Sequence, residues 1–139
     1  MVDFIFTIFL ILIILIISLN LIESNLSDEK RIELNLNARS LVDSVGNAIN
    51  SVNANNVGNI KEIILPNNIS SSSYFITVKQ NEVIISLPSR KGESSIHQIR
   101  LANIHGDIVN EIRLYPGASY KVKKSLNDDN LTVIQIYNI

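Results

Sequence analysis

His97 and His105 are the only histidines of the chain and fall on or beside predicted strands, with Asp107 two positions after the second. A metal centre needs three or four converging ligands, and the adjacent carboxylates Asp128 and Asp129 have no histidine near them in sequence. Cysteine is absent, which removes disulfides, thiolate nucleophiles and thiolate metal ligands together. Serine is plentiful, yet no G-x-S-x-G turn presents one as a nucleophile. These side chains read as solvated loop residues, so the sequence predicts no catalytic residue, no cofactor and no metal. The chain is expected not to be an enzyme.

Three further features carry charge or modification chemistry. Lys121, Lys123 and Lys124 form a small cationic cluster. It suits contact with an anionic surface polymer or lipid, or it marks an edge strand whose lysines discourage aggregation. N-x-[ST] sequons at Asn25, Asn68 and Asn130 suit N-glycosylation of a surface protein, and they also arise by chance in a chain this rich in Asn and Ser. Asp3 stands at the threshold of a run of apolar residues, "MVDFIFTIFLILIILIISLNL". A carboxylate inside hydrocarbon costs about 2.5–3.5 kcal/mol, so Asp3 must reach an interface or find a partner. Two roles fit: an N-cap at the membrane edge, or a pairing with the N-terminal amine of a neighbouring subunit inside a filament.

The element that positions Asp3 is a helix. From Phe4 to Ile17 only Thr7 interrupts the strongly apolar residues, and Leu19, Leu21 and Ile22 extend the run past Ser18 and Asn20. That is about the length of helix needed to cross a hydrocarbon core. A cleavable secretory signal would want a basic start and an A-x-A site, and neither Lys nor Arg precedes Lys30. A buried core helix would be apolar on one stripe, whereas this segment is apolar all round. The first Gly is Gly46 and the first Pro is Pro66, so nothing breaks the helix early. Beyond the apolar run, Leu34, Ala38, Leu41, Val45, Ala48 and Val52 recur at helical spacing, with Glu33, Asn37, Asp43 and Asn47 on the opposite face. The expectation is one continuous helix to about Asn53, with "NLSDEKRIE" as its most polar part and the place where a bend or a separately capped second helix would fall.

After "NANNVGN" the period changes. "IKEIILP", "SYFITVKQ", "NEVIISLP", "SIHQIRLANI", "DIVNEIRLY", "SYKVKK" and "LTVIQIYNI" read as short strands, punctuated by His105-Gly106-Asp107, Pro116-Gly117 and the Asn127–Asn130 cluster. Gln80 and Asn81 sit at hairpin spacing between two alternating runs. The expected fold is α+β: a long N-terminal hydrophobic helix followed by a small antiparallel sheet or sandwich. It divides into residues 1–22 (membrane-embedded or filament-core helix), 23–56 (amphipathic continuation) and 57–139 (extracellular β domain).

Net charge is −1 and no segment is strongly basic: residues 57–139 hold seven acids against nine bases, and residues 23–56 five against three. A nucleic-acid partner is not expected.

The stretch Ala38 to Pro88 resembles archaeal type IV pilin-like proteins, in which a helical "A-R-x-L…A-I-N" segment leads to a strand ending in Leu-Pro, a "Y-x-I-T-V" strand and a short hairpin. Here those positions are Ala38, Arg39, Leu41, Ala48, Ile49, Asn50, Leu65, Pro66, Tyr74, Ile76, Thr77 and Val78. "VDFIFTIFLIL" looks like the start of the family's hydrophobic helix, with Asp3 where the family has glutamate. The resemblance implies a structural subunit or minor component of a surface filament supporting adhesion, membrane-anchored through its helix before assembly. Its partners would be copies of itself or other pilins, and lipid before assembly, with Asp3, Phe4, Phe6 and Phe9 at the subunit contact. The family's precursors carry a short leader cut just before the helix. No basic leader or leader-peptidase site is visible here, so either the numbering omits a leader or the protein is never processed. A non-polymerising single-span protein whose β domain binds a surface-appendage component is the alternative.

Overall fold

The absence of helix breakers before Gly46 has the expected consequence. In the computed structural model, which describes residues 2–139, helix α1 runs without interruption through Val2–Ala54, 53 residues. The polar "NLSDEKRIE" segment is helical throughout. Ser18 and Ser27 satisfy their hydroxyls on carbonyls four residues back, at 2.8 and 2.9 Å, so neither serine disturbs the ladder. Two compact units follow from the contacts: residues up to Leu34, and Asn35–Ile139.

Within the second unit the helix ends where its sequence turns to Asn and Gly. The side chain of Asn55 donates to the Ser51 carbonyl at 2.7 Å, and Gly58 adopts a φ of 94° that few other residues accept. The last turn has no basic residue of its own. Instead Lys124 reaches in from the β domain, its Nζ donating to the carbonyls of Asn53 at 2.6 Å and Asn55 at 2.9 Å. A cation there satisfies carbonyls that the helix leaves unpaired and meets the negative end of its dipole.

Eight strands follow: β1 (Ile60–Ile64), β2 (Phe75–Lys79), β3 (Glu82–Leu87), β4 (Arg90–Ser95), β5 (Leu101–Ala102), β6 (Glu111–Leu114), β7 (Ser119–Leu126) and β8 (Thr132–Asn138). They form two four-stranded sheets, ordered β1-β7-β8-β5 and β4-β3-β2-β6. The β2–β3 hairpin turns on Gln80 and Asn81, with Val78 opposite Val83. Alternation then sets the inner faces: Ile76 and Val78, Val83 and Ile85, and Tyr120 and Val122 are all buried.

The structure departs from the sequence expectation in four places. Strand β4, "RKGESS", was not anticipated, because it is polar and contains Gly92. It is held as a strand by six register pairs to β3, from Glu82↔Ser95 to Leu87↔Arg90, so pairing and not propensity makes it. "SIHQIRLANI" contributes Ser95 to the end of β4 and the two residues of β5, which pair with β8 in parallel, while every other strand pairing is antiparallel. The stretch before β5 crosses from one sheet to the other: Ile96 and Ile99 donate to the carbonyls of Asn81 and Gln80, and Ile134 donates to that of Arg100. The buried helical stripe is Ala38, Val42, Val45, Ile49 and Val52, rotated from the expected one, with Leu41 and Ala48 half-buried. Close approach at Gly46 accounts for the rotation, since a Cβ there would lie 3.2 Å from Ile96 Cγ2 and 3.4 Å from Ser94 Oγ. Finally, β7 lies inside its sheet between β1 and β8, so its lysines do not guard an edge.

Replacing Lys124 by Met should lower the unfolding free energy by about 2 kcal/mol, the scale of hydrogen bonds from a charged donor. Lys121→Met, on the same strand without a helix contact, should change it by less than about 0.5 kcal/mol. Urea titrations of both variants in detergent micelles, followed by far-ultraviolet circular dichroism, measure the difference.

Candidate functional site

No side chain of residues 2–22 is buried. An 18-residue window of α1 averages 3.1 in mean hydropathy, and none of it is buried, so the helix is long and apolar enough to cross a membrane. Phe4, Phe6 and Phe9 are 72, 63 and 60% exposed. Such a surface is stable only when something other than water covers it. Thr7 and Ser18 do not compromise it, since each hydroxyl is satisfied by a carbonyl one turn earlier, Thr7 on Asp3 at 2.7 Å. Asp3 lies within the first turn of α1, where a carboxylate faces the positive end of the helix dipole.

The residues that first suggested chemistry lie in turns and in the segment that crosses between the sheets. His105 and Asp107 flank Gly106 in a turn built by Asn103, whose Oδ1 accepts from both their backbone N–H groups at 2.9 and 3.0 Å and whose Nδ2 donates to Asp107 Oδ2 at 3.0 Å. His97 is exposed and gives its backbone N–H to Asn50 Oδ1 at 2.9 Å, pinning the sheet-crossing segment to α1. Asp128 and Asp129 belong to a second Asn-centred turn, in which Asn127 Oδ1 accepts from the N–H groups of Asp129 and Leu131. Among the described residues, no three His, Asp or Glu side chains come close enough together to hold a metal ion. The lysine cluster separates too: Lys121 stands opposite Glu62, Lys123 opposite Ile60, and Lys124 caps α1.

Of the three sequons, Asn68 and Asn130 lie exposed in connections, before β2 and between β7 and β8, and Asn130 has a φ of 59°. Asn25 is on the helix, three residues beyond Ile22, and is also exposed.

Among the described residues one titratable group is strongly displaced. Burial pushes the Tyr74 phenol up to about 12, with Tyr120 adding to the effect. Its hydroxyl donates to the Pro66 carbonyl at 2.6 Å, closing the loop between β1 and β2, while Tyr120 Oη accepts from the Tyr115 N–H at 2.9 Å. Both hydroxyls fasten loops.

Compared with known protein families, curated proteins and solved structures, the chain shows no match.

Because folded Tyr74 holds its proton above the ordinary value near 10, ionisation favours the unfolded chain. Stability present below pH 10 should therefore fall as pH rises from about 10 through 12. Tyr74→Phe should flatten this slope, and at pH 7 it should cost about 1 kcal/mol for the lost hydrogen bond to Pro66. Chemical denaturation of the two proteins across alkaline pH distinguishes these outcomes.

Proposed function

We propose that the protein is a type IV pilin-like structural subunit, or minor component, of an archaeal surface filament supporting adhesion. In this reading the first part of α1 rests in lipid before assembly and among sister helices afterwards, and the β domain faces outward. The observation that carries it is the uncovered surface of residues 2–22, apolar on every side, at the start of one helix whose later turns from Ala38 to Val52 are buried on a single stripe. A helix of this kind is provided with a core for one half and requires foreign cover for the other. The Ala38–Pro88 resemblance names the assembly in which such cover is a neighbouring copy.

Asp3 supplies a specific assembly contact in this reading. Lipid provides no hydrophobic drive for one helix to leave it for another, so association rests on packing by Phe4, Phe6 and Phe9 and on neutralising the buried carboxylate with an amine of the adjacent subunit. Exposed sequons at Asn68 and Asn130 fit a domain that faces the cell exterior.

The second reading, a non-polymerising single-span anchor whose β domain binds a surface-appendage component, is favoured by one feature. No glycine occurs before Gly46, so the apolar helix lacks the glycines that let membrane helices approach most closely.

Filaments sheared from cells and analysed by mass spectrometry should contain this chain, and Asp3→Ala should abolish its incorporation while leaving it in the membrane fraction. Recovery solely from detergent-extracted membranes as a species of one subunit, with Asp3→Ala indistinguishable from the parent, would support the anchor instead.

A further inference from the structure

Where the segment before β5 passes from one sheet to the other, it walls a groove of about 550 Å³, lined by Asn53, Gln80, Gln98, Arg100, Thr132 and the isoleucines 99, 108 and 134. That volume lies within the roughly 300–1,000 Å³ typical of small-molecule sites. The walls are held by backbone hydrogen bonds and not by the polar side chains themselves: Ile99 donates to the Gln80 carbonyl and Ile134 to the Arg100 carbonyl, both at 2.8 Å. The side chains are thereby left free. Those of Asn53, Gln80, Gln98 and Thr132 make no hydrogen bond within the described residues and remain available to a ligand. The arginines differ from one another. In Asn35–Ile139, Arg39 pairs with Asp43, Arg90 with Asn35, and Arg113 lies 4.8 Å over the Phe75 ring, while Arg100 has no partner.

We propose that this groove binds an acidic sugar of the uronic acid class. No carboxylate lines it, so Arg100 is its one formal charge and its guanidinium is matched to a carboxylate, which it can hold by two parallel hydrogen bonds. Three amides and a hydroxyl each offer both a donor and an acceptor, which is what vicinal sugar hydroxyls require. Ile108, 47% exposed, offers an apolar surface to the C–H face of a pyranose ring, while Ile99 and Ile134 lie buried behind it in the core. The groove has no aromatic ring against which a planar base would stack. This inference does not depend on how residues 2–34 are housed.

The test uses the full chain in lauryldimethylamine oxide micelles, a detergent that carries no sugar, titrated with glucuronate, glucose and acetate by saturation-transfer NMR and calorimetry. Glucuronate should bind saturably with a dissociation constant below about 10 mM, with glucose and acetate each at least about tenfold weaker, a factor equal to one charged hydrogen bond or its neutral counterpart. Arg100→Met should reduce glucuronate binding about tenfold, to the level of glucose, with an unchanged thermal midpoint, since Arg100 is exposed and unpaired. Gln98→Ala should weaken both glucuronate and glucose. No saturable glucuronate binding, binding that Arg100→Met leaves intact, or acetate binding as tightly as glucuronate would each overturn the proposal, the last by showing a site for an anion alone.

Discussion

The side chains of residues 2–22 present an apolar surface of which none is buried. The helix from Val2 to Ile22 carries Phe, Ile and Leu on all sides, so no single packed face can hide it. At roughly 25 cal/mol per Å² the free energy of leaving such side chains in water is large against the few kcal/mol by which a small domain is stable. The β domain has a core of its own, closed by side chains of both sheets and of α1 from Ala38 onward. Two demands are therefore met on one helix: foreign cover for the first part and intramolecular cover from Ala38 onward.

The second demand is met by a mixture of apolar and polar contacts. Val42, Val45, Ile49 and Val52 are essentially inaccessible, and Gly46 lets the backbone come close to Ser94 and Ile96. Polar ties then fix the helix along its length: Asn37 donates to Ser70 Oγ at 3.1 Å, Asn50 accepts from the His97 backbone, and Lys124 closes the C-terminal carbonyls. Asparagine is the recurring tool. Its short amide substitutes for a backbone group, and at Asn103 and Asn127 it organises the turns that carry the sequence's acidic clusters. At these two turns the Asn side chains order the backbone around His105, Asp107 and Asp129.

Much of the architecture was legible in the residues because it depends on near neighbours. An uninterrupted run without Gly or Pro had to be helical, and the spacing from Ala38 to Val52 announced one buried face. The hairpin at Gln80 and Asn81 followed from two alternating runs meeting across two residues. What escaped is non-local. Strand β4 has a composition that argues against a strand and exists through its six pairs with β3. The stripe was misplaced by one position at Val42 and Ile49, because Leu41-Val42 and Ala48-Ile49 are both apolar pairs and only the contact at Gly46 selects between them. Lys124 read as one of three similar lysines, although 71 residues separate it from the Asn53 carbonyl it binds. The groove was invisible for the same reason, since Asn53, Gln80, Arg100 and Thr132 share no local pattern.

Local composition alone was enough to specify a membrane-compatible helix, its amphipathic continuation, and a β-rich remainder without cysteine or a catalytic motif, because hydropathy and backbone preference act over a few residues. The parallel β5–β8 pair, the interior position of β7, the rotation of the helix and the convergence of free amides around Arg100 were decided by tertiary structure. Each of these depends on which distant segments share a sheet or approach within hydrogen-bonding range, and that choice belongs to the packing of the whole domain.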